Sequence, residues 1–485
     1  MAERIDSRTR YIGEKVFTEH DQRIFACASL DRNPMHVDPI AARRLINGRC
    51  VVHGIHTLLT AIECWKNDDR ARPRAISCSF DNAVSVGDKV TFAQRDDAGS
   101  TFIDAVVDGV RCAQVTITTG RMEVSVGSDI SLILDPQNAS SGFDRLDNPL
   151  DKSPEFHHHK AYVVNPNDSD LSAAFPHAYA YLGENGFAAI CSLSYFVGMV
   201  CPGLHSIFSS VSFDLVDDRN KKSPLMFMVE KYDNRARFFD VFFQGCIRGN
   251  LRAFSRPPSQ EQPSVIEVAA HVNPGEFRGT RSLIIGGSRG LGEVTAKILA
   301  AGGGDVIITY STGLDDARKI KAEIDQAGLS VCELLKLDVT VDPLNVTHLD
   351  CNALDAVYFF ATPRIARKKH GVFSLSLFQE FCDFYIKAFY DLCIYLEANL
   401  GSKTLKVYSP STVFVFERPV GMEEYAMAKA AGEVLIQEIN KSFERVSVIS
   451  TRLPRLATDQ TASLIKKSTQ SNLATLLPII RLLSH

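Results

Sequence analysis

Residues 12–25, IGEKVFTEHDQRIF, read as a short strand followed by a helix, with Thr18 as its N-cap and Asp21 in its first turn. A second apolar helix, GIHTLLTAIECW, starts at His53-Gly54, and its first backbone amides are unpaired and point out of the N-terminus. Strand patterns follow at 75–80, 89–95, 101–107 and 112–118, punctuated by Val86-Gly87-Asp88 and Asp108-Gly109. The same order then returns: a helix over 184–200 and strands over 206–213, 225–232, 237–244 and 249–254. A helix followed by four strands, twice over, is an α+β layout with an internal repeat, to which the local match of Phe213-Asp214 with Phe80-Asp81 adds a little.

The pattern changes after that. An apolar strand at 282–285 leads into Gly286-Gly287-Ser288-Arg289-Gly290-Leu291-Gly292 and a helix over 293–301, with further strands at 306–310, 334–337 and 356–360. A buried strand, a glycine-rich turn and a helix make the first unit of a dinucleotide-binding fold. Two stretches lack any period. Residues 140–160 are polar with two Pro, and 256–278 hold four. The predicted organisation is therefore a domain over 1–125, a linker over 126–160, a second domain over 161–256, a linker over 257–278 and a third domain over 279–485.

Length agrees, since 485 residues at ordinary domain size suggest roughly three domains. A hydrophobic content of 45%, 23% charged residues and a net charge of −4 suit a soluble chain and give no reason to expect nucleic acid as a partner. The stretch 187–204 is uncharged, but Ser192, Ser194 and Tyr195 interrupt it and Pro202-Gly203 closes it, so it reads as a buried helix and not a membrane span. The first residues, MAERIDSRTRYIGEK, lack the apolar core of a secretory signal. Twelve Cys include no C-x-x-C pair, and Cys27, Cys50, Cys191 and Cys201 sit in apolar runs as reduced, buried thiols, which points to the cytoplasm. His157, His158 and His159 cannot all face one ion; they read as solvated or lightly packed, and no metal site is expected.

Candidate chemistry begins in FACASLDRNPMHVDPIAA, residues 25–42, where Asp31, Asn33-Pro34 and His36 fall within six residues. A carboxylate and an imidazole on one loop can take and give a proton at one centre. The run Ser29-Leu30-Asp31-Arg32-Asn33-Pro34-Met35-His36, with Ala42 in register and Val51-Val52-His53-Gly54 beyond, resembles the hydratase 2 signature of the MaoC-like (R)-specific enoyl-CoA hydratases. That resemblance implies a hotdog fold, a curved antiparallel sheet around a central helix. It also implies that Asp31 and His36 hold a water and exchange its protons, that Asn33 and Pro34 set the loop, and that the Gly54 amide binds a thioester carbonyl. Leu30 stands where the family usually has Gly. Residues 161–256 read as a second hotdog without the motif, a structural half that could shape the substrate tunnel, with His177, His205 and Glu184 at core or rim.

In the last domain, Gly286, Gly290 and Gly292 together with Tyr425-Ala-Met-Ala-Lys429 resemble the short-chain dehydrogenase/reductase family. Positions four apart share a helix face, so Lys429 can sit near Tyr425 and stabilise its phenolate. The resemblance implies that Tyr425 exchanges a proton with a carbonyl or alcohol oxygen, and that Ser411, with Ser409 as fallback, polarises the same oxygen. It also implies cofactor contacts at Gly286, Ser288, Arg289, Gly290, Leu291, Gly292, Tyr310, Ser311, Asp338, Val339, Ala361, Tyr425 and Lys429, with Asp338 at the adenine amine. The second strand ends Thr309-Tyr310-Ser311-Thr312 without an acid, and Arg289 lies in the glycine turn, which favours NADP(H) over NAD(H). Residues 359–362 depart from the family's Asn-Asn-Ala-Gly, Lys387 lies nearest the expected position of a further Asn, and the basic run over 364–369 reads as a solvated loop.

The sequence thus predicts an α+β double hotdog followed by an α/β Rossmann-type doubly wound parallel sheet. The resemblances imply a bifunctional acyl-thioester enzyme. Its activities would be an (R)-specific 2-enoyl-CoA hydratase or 3-hydroxyacyl dehydratase and an NADPH-dependent 3-oxoacyl reductase, acting on acyl-CoA or acyl-carrier-protein thioesters. A carbonyl reductase with a non-catalytic acyl-binding half, a scaffold with degenerate sites, and a homodimer all stay open at this stage.

Overall fold

The computed structural model describes residues 9–45, 48–67, 71–120, 145–167, 171–216, 224–341, 349–365, 373–461 and 468–484. The chain divides into two compact units, Met1–Pro258 and Ser259–His485.

In the first unit the chain runs through β1 (Arg10–Val16), α1 (Glu19–Ser29), α2 (Pro34–Val37), α3 (Pro39–Ala42), α4 (Gly54–Cys64), β2 (Pro73–Phe80), β3 (Lys89–Asp97), β4 (Ser100–Val107) and β5 (Val110–Thr119). It continues through β6 (Ala161–Val164), α5 (Pro176–Tyr195), a π-helical turn (Phe196–Val200), β7 (Ser206–Leu215), β8 (Leu225–Asp233), β9 (Phe238–Gln244) and β10 (Ile247–Ser255). All ten strands form one antiparallel sheet in the order β1-β3-β4-β5-β2-β7-β10-β9-β8-β6. Read inward from either edge the two halves have the same topology, so β1, β3, β4, β5 and β2 correspond to β6, β8, β9, β10 and β7. The halves join where β2 pairs with β7, with Ile76 opposite Phe213 and Cys78 opposite Val211. One core collects Leu58, Ile62, Val115, Leu193, Phe196 and Phe227 from both halves, and α4 lies against α5 inside it.

Several expectations need correction. The helix predicted over 184–200 starts at Pro176, whose missing N–H costs nothing at a first helical position, and it bends at Gly183. Gly183 has φ 71, so it is a kink inside the element and not its boundary. His157 is fully buried, and its Nδ1 lies 2.7 Å from the Tyr162 hydroxyl, so it is not solvated. Cys27 is exposed, whereas Cys50, Cys191 and Cys201 are buried, and all twelve thiols are free. The stretch 187–204 lies within the core of the unit, and among the described residues no helix is long and apolar enough to cross a membrane. Of the stretch over 126–160, residues 126–144 lie outside the described ones.

The second unit holds α6 (Val265–Ala269), β11 (Arg281–Ile285), α7 (Gly290–Ala301), β12 (Asp305–Tyr310), α8 (Leu314–Ala327), β13 (Cys332–Lys336) and β14 (Ala356–Phe359). After these come α9 (Leu375–Cys382), a π-helical turn (Asp383–Ala388), α10 (Phe389–Asn399), β15 (Leu405–Tyr408), β16 (Ser411–Thr412), α11 (Phe414–Glu417), α12 (Glu423–Ser442), β17 (Val446–Ile449), β18 (Arg452–Leu453) and α13 (Asn472–Ser484). Six strands form a parallel sheet in the order β13-β12-β11-β14-β15-β17, and β16 pairs separately with β18. Separate apolar cores cover the two faces. The strand order reverses between β11 and β14, which opens a crevice at their C-terminal ends. The proline-rich stretch over 257–278 contains α6, because Ser264 and Glu267 form a capping box and Val265 and Val268 bury against the unit's core.

Ala98-Gly99 and Asp108-Gly109 are matching hairpin turns with positive φ at both residues, 44 and 81 in the first and 48 and 77 in the second. Ala98 is exposed and has no side-chain oxygen to support that backbone. Replacing Ala98 with Asn is expected to stabilise the first unit by about 0.5–1 kcal/mol, seen as a rise in its thermal transition with no change in the other unit's.

Candidate active sites

In the first unit, two cap-and-proline pairs build the loop after α1. Asn33 caps α2 by accepting from the Met35 amide at 3.1 Å, and Asp38 caps α3 by accepting from Ile40 at 2.8 Å and Ala41 at 3.1 Å. Leu30 ends α1 with φ 63, the left-handed conformation that Gly adopts freely and a side chain adopts at a cost of about 1 kcal/mol. Its side chain packs against the core, which offsets that cost.

The loop turns Asp31 and His36 inward, where both are buried. The His36 Nδ1–H donates to the Val51 carbonyl at 2.6 Å, which leaves Nε2 with a free lone pair. Burial holds this imidazole down at about 4, so it is neutral at physiological pH. Burial acts oppositely on Asp31, raising its carboxyl to about 7 against the hydrogen bonds from Ser194 and the Asn33 amide. A lone pair on one group and a carboxyl that can take either protonation state on the other are what proton exchange with a water requires.

His53, to which sequence reasoning assigns no role, completes the cluster. Its ring stacks on His36 with centroids 3.8 Å apart. Its Nε2 lies 3.1 Å from the Asp31 carbonyl and its Nδ1 lies 2.9 Å from Gln22 Oε1, which also accepts from the His53 amide. Burial and the adjoining His36 push His53 well below the usual imidazole range, so the neutral ring donates to one oxygen at a time. The ligand-capable atoms of Asp31, His36 and His53 lie within 4.8 Å of one another, but both nitrogens of His53 are aimed at these oxygens and not at a shared ion. His53 is also the N-cap of α4 without a side-chain capping bond, so Gly54 and the amides of the first turn open beside the cluster.

The second half reaches this site. Ser194 on α5 donates to Asp31 Oδ2 at 2.7 Å, and Asn33 Nδ2 donates to the carbonyls of Gly198 at 2.8 Å and Gly203 at 3.1 Å. The half expected to be structural and to shape the substrate tunnel thus reaches the motif loop directly. His177 and Glu184 are exposed and His205 is half-buried against Asp151.

In the second unit, Gly286 ends β11 with φ 77, and a Cβ there would come within 2.8 Å of the Ala361 amide, so the glycine turn and the end of β14 meet at the crevice. Thr309 Oγ1 accepts from the Gly286 amide at 2.9 Å. Arg289 is the N-cap of α7 without a side-chain cap, so the first-turn amides around Gly290, Leu291 and Gly292 remain directed outward, with Ser288 buried beside them. Tyr310 and Ser311 lie at the end of β12, and Val339 is buried beyond β13. Asp338 is exposed and its carboxylate accepts from Thr340 at 2.7 and 3.0 Å.

Tyr425 and Lys429 lie one turn apart on α12, as their spacing predicts. Ser411 does not join them: its hydroxyl donates to Glu433 at 2.5 Å, where Arg452 also binds. The next residue, Thr412, faces the other way along β16; its hydroxyl accepts from the Phe414 amide at 3.2 Å and lies near enough to Tyr425 to lower its phenol against the effect of burial. Lys429 Nζ donates to the Pro410 carbonyl at 2.7 Å and sits 3.9 Å above the Tyr385 ring. Burial lowers this amine to about 7 and raises the Tyr425 phenol to about 12. Lys387 is exposed and pairs with Asp391 at 3.0 Å; Tyr385, two residues earlier in the same π-helical turn, is the buried group that faces Lys429 and bonds Thr362. Of the basic run over 364–369, residues 366–369 lie outside the described ones.

Residues 2–102 match the MaoC like domain family, a stretch that contains Asp31, His36 and Gly54. No curated protein matches the chain. Among solved structures, the chain is similar to the FolM alternative dihydrofolate reductase 1 of Brucella suis in complex with NADP, at 18% identity over 42% of this chain and 87% of that one, with a TM-score of 0.35. It is also similar to a short-chain dehydrogenase of Burkholderia cenocepacia in complex with NADP, at 22% identity over 42% and 91%, with a TM-score of 0.36. A 3-oxoacyl (acyl-carrier-protein) reductase of Agrobacterium tumefaciens with NADP bound is similar at 21% identity over 38% and 73%, with a TM-score of 0.34.

Asp31 carries a folded-state value of about 7 against an ordinary 3.8, so its ionisation opposes folding. That penalty is absent below the ordinary value, grows as pH rises between the two, and is complete above the folded value. Asp31→Asn is therefore expected to stabilise the first unit at pH 8 by on the order of 2–4 kcal/mol and by little at pH 4, as measured by thermal unfolding at both pH values.

Proposed function

We propose that the chain is a bifunctional acyl-thioester enzyme whose first unit hydrates a 2-enoyl thioester, or dehydrates the 3-hydroxyacyl thioester, and whose second unit reduces a 3-oxoacyl thioester. The observation that carries the reading is the presence on one chain of two clusters of ionisable groups whose titration burial shifts. Asp31 and His36 stand beside an uncapped helix N-terminus, and Tyr425, Lys429 and Thr412 stand beside a parallel sheet. The two chemistries share the 3-hydroxyacyl thioester as product of one and substrate of the other.

In the hydratase site, His36 Nε2 and the Asp31 carboxylate hold the water, and the proton taken at one is returned through the other to the carbon next to the thioester. The amides at the start of α4, Gly54 first, stabilise charge on the thioester oxygen. The face on which water adds is read as giving the (R)-alcohol. The matching topology of the two halves supports a double hotdog, in which the pairing that hotdogs otherwise make between copies is made within the chain.

The reductase reading needs a nicotinamide cofactor, and the residues fit one: Gly286 lets the glycine turn pack against the Ala361 backbone at the crevice, and the amides at the start of α7 suit a pyrophosphate. When bound, that group supplies the hydride. NADP(H) is favoured, because β12 ends in Tyr310-Ser311-Thr312 without a carboxylate to repel a 2′-phosphate. Tyr425, protonated at neutral pH, gives its proton to the carbonyl oxygen, and Thr412 holds the phenol. Such a protonated acid suits reduction. A cytoplasmic location and carriage of the acyl group on CoA or acyl carrier protein follow the same reading.

Incubation with acetoacetyl-CoA and NADPH is expected to consume NADPH and then to form crotonyl-CoA. Asp31→Asn should lower the second step by at least about a hundredfold and spare the first. Thr412→Val should lower NADPH consumption by about tenfold or more, and Ser411→Ala by less. No cofactor turnover in either direction, or full dehydration by the Asp31 variant, would overturn the corresponding half of the reading.

A further inference from the structure

The half of the sheet that lacks the Asp-x-Asn-Pro-x-His motif lies against the motif itself. Ser194, in the last turn of α5, donates to Asp31 Oδ2 at 2.7 Å, and both side chains are buried, at 3% and 2% exposure. Gly198 follows four residues later, in the π-helical turn, and a Cβ on it would fall 2.2 Å from Asp31 Oδ1. Any side chain at 198 would occupy the space of the carboxylate. The seam is closed by Asn33 Nδ2, which donates to the Gly198 and Gly203 carbonyls. One hydroxyl and one bare backbone patch from the motif-less half are thus shaped around a single carboxyl group of the other half.

We infer that Ser194 is a positioning residue of the hydratase site, supplied by the motif-less half to orient the Asp31 carboxyl and set its readiness to exchange a proton with water. The inference rests on the reading of Asp31 as a water-activating group. A buried serine within a helix can satisfy itself on the carbonyl one turn earlier, as Ser192 does with Ala188 at 2.9 Å. Ser194 instead donates to the carboxyl group.

The charged and titratable groups around Asp31 are few. His36 and His53 face it from its own half, with His53 Nε2 4.0 Å from Oδ2, and from α5 and the turn that follows come the Ser194 hydroxyl and the Gly198 backbone. Arg256, buried just after β10, acts on His36 through its charge. Burial raises the carboxyl and the Ser194 bond lowers it. Losing the hydroxyl removes a donor that favours the ionised form, so the titration midpoint moves upward.

The test is a titration of the Asp31 carboxyl carbon by NMR in the full chain labelled with 13C at the Asp carboxyl, the signal being assigned by its loss in Asp31→Asn. In Ser194→Ala the midpoint is expected to rise by about one pH unit, and in Ser194→Cys, which keeps the volume and a weaker donor, by less. The pH dependence of crotonyl-CoA hydration should move by the same amount, with kcat affected more than KM. A midpoint that stays in place in a folded Ser194→Ala or Ser194→Cys protein overturns the inference. Failure of the unmodified enzyme to hydrate crotonyl-CoA at any pH would overturn the hydratase reading instead, and the carboxyl titration distinguishes the two failures.

Discussion

The antiparallel pairing of β2 with β7 is the joint on which the first unit depends. Each strand would otherwise end its half-sheet as an edge with unpaired N–H and C=O groups. Their pairing satisfies both edges at once, fuses two five-stranded halves into one sheet and fixes α5 against α4. That placement carries Ser194 and Gly198 to the loop after α1 and encloses Asp31.

Enclosure then does the electrostatic work. The same loss of water raises Asp31 to about 7 and lowers His36 to about 4, so the two groups approach neutrality from opposite sides. The second unit repeats the arrangement with other residues, raising Tyr425 to about 12 and lowering Lys429 to about 7. At Asp31 the groups that soften the effect are neutral donors, Ser194 at 2.7 Å and the Asn33 amide at 3.2 Å, whereas at Lys429 it is the charge of Glu433. Neutral donors orient an ionisable group without adding a charge that would lock its protonation state.

Much of the architecture was legible because it rests on local pattern. Glycine punctuation and strand runs located the hairpins, and the alternation of strands with helices after residue 280 marked the parallel sheet. The errors fall where a local signal was overruled by packing. Gly183 resembles a helix boundary but is a kink, since Leu182 and Phe187 on either side both bury. Proline density suggested a linker over 257–278, yet the apolar pair Val265 and Val268 draws α6 onto the core.

Asp31, Asn33, His36, Tyr425 and Lys429 could be read from sequence because each set lies within one loop or one turn of helix, where spacing alone dictates proximity. Ser411 was preferred, with Ser409 as fallback, on its distance along the chain from Tyr425; a one-residue difference on a strand inverts the side chain's direction, and spacing carries no information about which face meets α12. His53 could be read only as part of the Val51-Val52-His53-Gly54 match, without a role, and Gln22, Ser194, Thr309 and Tyr385 had no signal pointing to the sites. Ser194 meets Asp31 across 163 positions of chain, and Thr309 meets Gly286 across 23. The sequence by itself determined the kinds of element and the candidate pairs, which short-range sterics and helical periodicity control. Tertiary structure alone decided the partners that surround those pairs and the protonation each can hold, because burial is a property of the assembled core and of no single segment.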